Sequence, residues 1–271
     1  MNDNLDDRQV AIVTGATGAI GKAIARNLAN TPGFKVVIVG RDETRTQKAA
    51  EEIRQATNNN QVSYQLANLS RQSSIKALGE QWQGPLDVLI NNAAATPRKR
   101  QETPEGIELQ FATNVLGYYR MMHYFEEHLA NSTPARVINV ASYWAGDLDL
   151  QDLEFKRRGY DNGRAYRQSK QANRMLTAAF AVQWKASGVT VNACHPGDVN
   201  SKLSNDLGFG GQESPDQGAD TPIWLATNRI GQEETGKYFE HRRAVRDRFT
   251  ADLQTVEELY AICQTYSRKK E

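Results

Sequence analysis

The sequence predicts an α/β fold: a single Rossmann-type, doubly wound parallel sheet of about seven strands with helices on both faces. Three observations predict it. Short apolar, β-branched runs alternate with longer amphipathic stretches. The first of these runs ends in a glycine-rich turn that opens a helix. No internal repeat, linker or shift in composition divides the 271 residues, so residues 1–271 read as one domain with one large core.

Residues 1–8 form a polar, acidic tail with none of the features of a signal peptide. Residues 9–14 are a buried strand. The turn Thr14-Gly15-Ala16-Thr17-Gly18-Ala19-Ile20-Gly21 follows, and helical spacing of Ala23, Ile24 and Leu28 runs on to Pro32-Gly33. Glycines after a strand let the backbone approach a pyrophosphate, and the helix N-terminus offers unpaired N–H groups to the anion. A tight turn without a ligand is the alternative. Residues 35–39 are the second strand, ending in Gly40-Arg41-Asp42. In a dinucleotide fold this strand end meets the adenosine ribose, where an arginine accommodates the 2′-phosphate of NADP and an acid favours NAD. Arg41 therefore favours NADP(H) over NAD(H), and Asp42 has a competing role as cap of a helix beginning near Glu43.

Residues 43–57 form a charged helix and 62–66 a third strand, followed by Asn68-Leu69 where an adenine edge would lie. Asn68 also reads as an ordinary turn residue. Ser70 is placed to cap a helix running to Trp82. Residues 86–90 are a fourth strand ending in Asn91-Asn92-Ala93-Ala94. A basic loop carries Arg98, Lys99 and Arg100, most simply as solvated charges. One long helix is expected over residues 105–129, with Asn114 inside it. A fifth strand, 135–141, ends at Ser142, on the side of an open parallel sheet where ligands bind. The polar stretch 147–163 is long enough to suggest a functional loop.

The helix expected over 163–187 carries Tyr166 and Lys170, four residues apart and so on one face. An ammonium beside a phenol lowers the cost of its anion, so the pair can pass a proton to or from a substrate oxygen. A sixth strand, 189–194, leads into His195-Pro196-Gly197-Asp198-Val199, where His195 reads as structural. Residues 200–220 suggest a substrate lid or a disordered loop. A helix is expected from Thr221, with Pro222 in its first turn, then a last strand over 236–240 and a C-terminal helix over 250–266.

The composition, 39% hydrophobic and 24% charged with a net charge of +1, fits a soluble cytoplasmic protein and gives no sign of bulk nucleic-acid binding. Cys194 and Cys263 are the only cysteines, far apart and without metal-ligand spacing, so neither a disulfide framework nor a metal site is expected. No apolar run reaches the roughly 18 residues of a membrane span.

Together these motifs resemble the short-chain dehydrogenase/reductase family over roughly residues 8–240. Gly15, Gly18 and Gly21 match its cofactor turn. Asn91-Asn92-Ala93-Ala94 is similar to its Asn-Asn-Ala-Gly motif. Asn114, Ser142, Tyr166 and Lys170 fall in the order of its catalytic tetrad, and Pro196-Gly197-x-Val199-x-Ser201 resembles its Pro-Gly motif. Gly21-Lys22, Gly40-Arg41-Asp42, Cys194-His195-Pro196-Gly197 and Gly236-Lys237-Tyr238-Phe239 resemble the retinol-dehydrogenase-like and protochlorophyllide-reductase-like branch. The resemblance implies hydride transfer between a nicotinamide and a carbonyl or alcohol carbon. Ser142 would orient the oxygen, Tyr166 pass the proton, Lys170 hold the nicotinamide ribose and lower the phenol's pKa, and Asn114 support a water. Contacts to the cofactor would come from Gly15, Thr17, Gly18, Ile20, Gly21, Arg41, Asn68, Leu69, Asn92, Ala93, Tyr166, Lys170, Pro196, Gly197 and Val199. Asn68 stands where the family has an aspartate. The apolar Tyr143, Trp144, Leu148, Leu203 and Phe209 suggest a hydrophobic substrate, and the family's habit implies a homodimer through the helices at 105–130 and 163–187. The alternatives are an NAD-linked alcohol dehydrogenase and a non-catalytic NADP-binding regulator.

Overall fold

The computed structural model describes residues 8–268; the rest of the polar tail, residues 1–7, and residues 269–271 lie outside the described residues. The chain begins with β1 (Gln9–Thr14), α1 (Ala19–Asn30), β2 (Phe34–Gly40), α2 (Glu43–Thr57), β3 (Val62–Leu66), α3 (Gln72–Gln81) and β4 (Val88–Asn91). A π-helical segment, Phe111–Leu116, leads into α4 (Gly117–Tyr124) and α5 (Glu126–Ala130). There follow β5 (Arg136–Val140), α6 (Asn162–Gln183), β6 (Thr190–Cys194), α7 (Lys202–Asp206), α8 (Pro215–Thr227) and α9 (Arg229–Glu233). The chain closes with β7 (Tyr238–Glu240), β8 (Arg243–Val245), a 3-10 turn (Arg248–Thr250) and α10 (Leu253–Arg268).

The sheet has eight strands in the order β3-β2-β1-β4-β5-β6-β7-β8. All neighbours are parallel except β8, which folds back antiparallel on β7. The expected seven are therefore joined by one more, a three-residue edge strand whose residues are all exposed. With no buried face it carries no hydrophobic alternation for a pattern to detect. Strand order reverses between β1 and β4, and the C-terminal ends of β1 to β6 share one edge of the sheet. Alternate side chains leave that sheet toward two cores. Ile12, Val37, Leu89, Val137 and Val191 pack with α3, α4, α6 and α10. Val13, Val36, Ile38, Ile90 and Ile138 pack with α1, α2 and α8.

Several expected elements end elsewhere. The helix expected over 105–129 starts four residues late, at Leu109, and is interrupted once, at Phe125. Residues Glu102 and Glu108 instead make an antiparallel bridge, and the helix that follows passes at once into the π segment. Glu108 diverts the backbone, its carboxylate accepting from the N–H groups of Gln110 and Phe111 at 2.9 and 2.7 Å. Ser70 does not cap α3. Its N–H and hydroxyl both go to Asn68 Oδ1, and the helix starts after Arg71 without a side-chain cap. About half of residues 200–220 is helical, in α7 and the start of α8. Ser201 caps α7, and Ser214 caps α8 in a reciprocal pair with Gln217, with Pro215 at the first position and Pro222 in the interior. The capping-box signature Ser-Pro-x-Gln marks that start, Pro215, six residues before the expected Thr221.

The loop 147–160 is anchored rather than free. The Asp152 carboxylate accepts from the backbone of Lys156, Arg157 and Arg158. Phe155 is buried, and Glu154 receives the Tyr266 hydroxyl of α10 at 2.6 Å. Of the basic loop, Arg100 pairs with Glu102 and donates to the Glu154 carbonyl. Helix α10 lies on α6 and the π segment through Val256, Leu259 and Cys263, so the chain's own C-terminus covers part of the helical face expected to dimerise.

Candidate active site

The parallel register brings Thr14, Asn91, Val140 and Cys194 to one edge, and the candidate residues follow them. Gly15 takes a φ of 68°, and a Cβ there would lie 2.7 Å from Ala93 Cα. A Cβ on Gly21 would lie 2.5 Å from the Gly15 carbonyl oxygen. Only glycine permits this approach of the first turn to the loop after β4. Thr14 staples the two. Its hydroxyl accepts from the N–H groups of Asn92 and Ala93 at 2.9 and 3.2 Å, and Asn92 Nδ2 returns a bond of 2.9 Å to the Thr14 carbonyl. Thr14 is a residue that sequence reasoning left out of the site, although it opens the glycine motif. Helix α1 begins at exposed Gly18 with no side-chain cap, so its first N–H groups face solvent beside partly exposed Thr17 and Ile20. This open, uncapped cradle is what an anionic pyrophosphate requires.

At the end of β2, Gly40 packs against Thr46, and Asp42 caps α2 by accepting from Arg45 N at 2.8 Å. Arg41 is exposed and makes no ion pair or hydrogen bond among the described residues. Asn68 Oδ1 is engaged by Ser70, which supports its reading as a turn residue, and Leu69 buries its side chain in the core. Pro196 and Gly197 form the turn after β6, with Gly197 at a φ of 90° and Val199 buried beside it.

The four tetrad residues converge. Tyr166 and Lys170 lie buried on one face of α6. Lys170 Nζ stands 5.7 Å from the centre of the Tyr166 ring and donates to the Val140 carbonyl at 2.8 Å, fastening α6 to the strand end that carries Ser142. Asn114 clamps the loop after β4. Its Oδ1 accepts from Ala95 N at 2.8 Å, and its Nδ2 donates to Ala95 O at 3.0 Å and to Ser169 Oγ at 3.2 Å. The π turn places it there, and a π turn inside a helix is a frequent mark of functional positions.

Burial sets the electrostatics. It pushes the Tyr166 phenol up to about 12, and the opposing pull comes from the Ser142 hydroxyl rather than from the ammonium the sequence pointed to. Burial also pushes Lys170 down to about 7, so the site works against the cation and weakens it as a field source. His195 is buried, held neutral by burial at about 4, and packs edge-on against the Tyr143 ring at 4.5 Å, which fits its structural reading. Around the mouth Trp144 meets Phe209 at 4.2 Å between ring centres, while Tyr143 and Phe209 remain exposed. Leu148 turns instead to the core. A buried proton donor, a hydroxyl beside it and a nucleotide cradle on one sheet edge are the parts of a hydride-transfer site.

The model of the short chain dehydrogenase family matches residues 9–208. The chain belongs to the short-chain dehydrogenase family. Mouse retinol dehydrogenase 12 is 35% identical over 245 residues, covering 85% of this chain and 77% of the relative. Mouse retinol dehydrogenase 13 is 33% identical over 255 residues, covering 87% and 76%. These place this short-chain dehydrogenase in the retinol-dehydrogenase-like branch. Among solved structures, an uncharacterized protein from Mycobacterium paratuberculosis superposes with a TM-score of 0.82 at 27% identity, covering 97% of this chain and 94% of that one. A short chain dehydrogenase from Escherichia coli CFT073 complexed with NADPH shares the fold with a TM-score of 0.69 at 20% identity, over 88% and 99%. Among the described residues no helix is long and apolar enough to cross a membrane, and no group of ligating side chains is suited to a metal.

Proposed function

We propose that this short-chain dehydrogenase uses NADP(H) to interconvert a hydrophobic carbonyl compound and its alcohol, with Tyr166 as the proton donor and acceptor. The convergence of Ser142, Tyr166, Lys170 and Asn114 at the C-terminal ends of β4 and β5 carries this reading. NADP(H), when bound, supplies or accepts the hydride. Gly15, Gly18, Gly21 and the first turn of α1 would hold its pyrophosphate, and Arg41 its 2′-phosphate. The capping role of Asp42 supports NADP over NAD, because it engages the acid that would otherwise face the ribose.

The protein's own residues divide the remaining work. Ser142 donates a hydrogen bond to the substrate oxygen and steadies the charge that develops there. Tyr166 gives that oxygen its proton during reduction and recovers it during oxidation. Its elevated pKa keeps the phenol protonated before reduction. Lys170 holds the end of β5 and faces the phenol, and Asn114 keeps the loop after β4 in register with α6. Tyr143, Trp144 and Phe209 form an aromatic rim that supports an apolar substrate.

Tyr166→Phe is expected to lower turnover by roughly 10²- to 10⁴-fold, the usual range for a general acid, with NADPH affinity within about twofold. The assay is NADPH oxidation against a panel of lipophilic ketones and aldehydes. Undiminished activity in the variant would remove Tyr166 from the mechanism, and NADPH binding without turnover of any carbonyl would favour the regulator.

A further inference from the structure

The turn after β6 carries two carboxylates that the reaction does not use. Asp198 is exposed beside the aromatic rim and accepts the hydroxyl of rim residue Tyr143 at 3.2 and 3.3 Å. Tyr143 directly follows Ser142, and its phenol is close enough to raise the Tyr166 pKa. Glu213 closes on the same turn. A Cβ added to Gly197 would meet its Oε2, and its backbone is bridged to Val199. Neither carboxylate forms an ion pair among the described residues. Lys202, four positions further along the chain, is committed to Asp206. His195, beneath the Tyr143 ring, is neutral.

We propose that Asp198, held at the cleft mouth by the Tyr143 hydroxyl and reinforced by Glu213, is a charge filter that rejects anionic substrates and restricts the enzyme to neutral carbonyls and alcohols. This deepens the reading of the cleft given above and rests on it. Asp198 is a specificity-determining residue, since it touches neither Ser142 nor Tyr166 but sets the potential at the opening beside them. An apolar rim alone would admit a fatty chain whatever its end group. A negative charge held on the Tyr143 hydroxyl, one residue along from Ser142, repels a carboxylate at that end and leaves an amide or ester alone.

The experiment measures equilibrium binding of decanoate and decanamide to the NADPH-loaded protein by quenching of tryptophan fluorescence. Wild-type protein is expected to bind decanamide at least about tenfold more tightly. Asp198→Asn keeps an acceptor for the Tyr143 hydroxyl and removes only the charge. It should shrink that ratio roughly five- to tenfold, the scale of one screened charge–charge repulsion in a half-solvated cleft. Glu213→Gln should shrink it less, and the discrimination should fade as salt is raised. Equal affinities in the wild type, failure of both probes to bind, or a ratio unchanged by Asp198→Asn overturns the filter. Turnover of an ω-oxo fatty acid and its methyl ester is measured separately. Discrimination in binding without any turnover sinks the enzymatic reading while leaving the filter intact.

Discussion

Replacing Lys170 with methionine should change how stability depends on pH, and the structure sets both sign and size. Lys170 is buried and pushed from 10.5 down to about 7. Between those two values the unfolded chain holds a proton that the folded chain has released, so stability rises with pH across that window and the stabilisation is lost as pH falls toward 7. From pH 6.5 to pH 9 the free cofactor-less protein should gain about 2–3 kcal/mol from this one group, at about 1.4 kcal/mol per decade of proton concentration. Lys170→Met removes that gain. Its hydrogen-bond loss is partly covered, because the Val140 carbonyl also accepts the Tyr118 hydroxyl at 3.3 Å. His195 titrates below this window, with a folded value near 4 and an ordinary value of 6.5. Buried Cys194 and Tyr166 remain in both proteins and largely cancel in the comparison. Urea unfolding at the two pH values, wild type against variant, measures the difference directly. A variant with the same pH slope as the wild type would refute the argument that burial discharges Lys170.

Other outcomes follow from the same geometry. Arg41→Ala should raise the KM for NADPH roughly 10- to 100-fold, the loss of a charged hydrogen-bonding partner, and leave that for NADH nearly unchanged; equal effects on both cofactors in steady-state assays would count against Arg41 as the phosphate contact. Gly21→Ala forces a methyl to within 2.5 Å of a backbone oxygen, so it should weaken NADPH binding at least about tenfold by calorimetry, with some loss of thermal stability. Trp144→Ala removes one ring of the rim and should raise the KM for lipophilic ketones more than that for small ones; a uniform change would argue that the rim does not select the substrate. For acid stability, His195 stays neutral in the folded chain down to about pH 4. Stability should therefore fall by about 3 kcal/mol as pH drops from 6.5 to 4, and replacement by a neutral residue should flatten that fall in a urea titration.

Much of the architecture was legible before any coordinate. The buried strands are runs of Val, Ile and Leu, the glycine turn follows the first of them, and Tyr166 and Lys170 share a helical face because helices repeat every 3.6 residues. Asp42 as a cap and His195 as a structural residue were also readable, since both rest on local chemistry. Edge strand β8 was not, because its three residues all face solvent and bury nothing. The late start of the helix at Leu109 was hidden too: Glu108 redirects the chain by capping it, and charge within a helical pattern reads as helix.

What the sequence determined by itself was the parallel fold, the glycine cradle and the order of the four candidate catalytic residues, all properties of short segments and their succession. Tertiary structure decided which of them meet and in what protonation state. The π turn points Asn114 at the loop after β4, and Lys170 grips the Val140 carbonyl. Burial, which no local pattern measures, discharges the lysine and holds the proton on Tyr166. Asp198 acquires its place at the cleft mouth in the same way. Its partner Tyr143 lies 55 positions back along the chain and is brought to it only when β5 and β6 pair side by side.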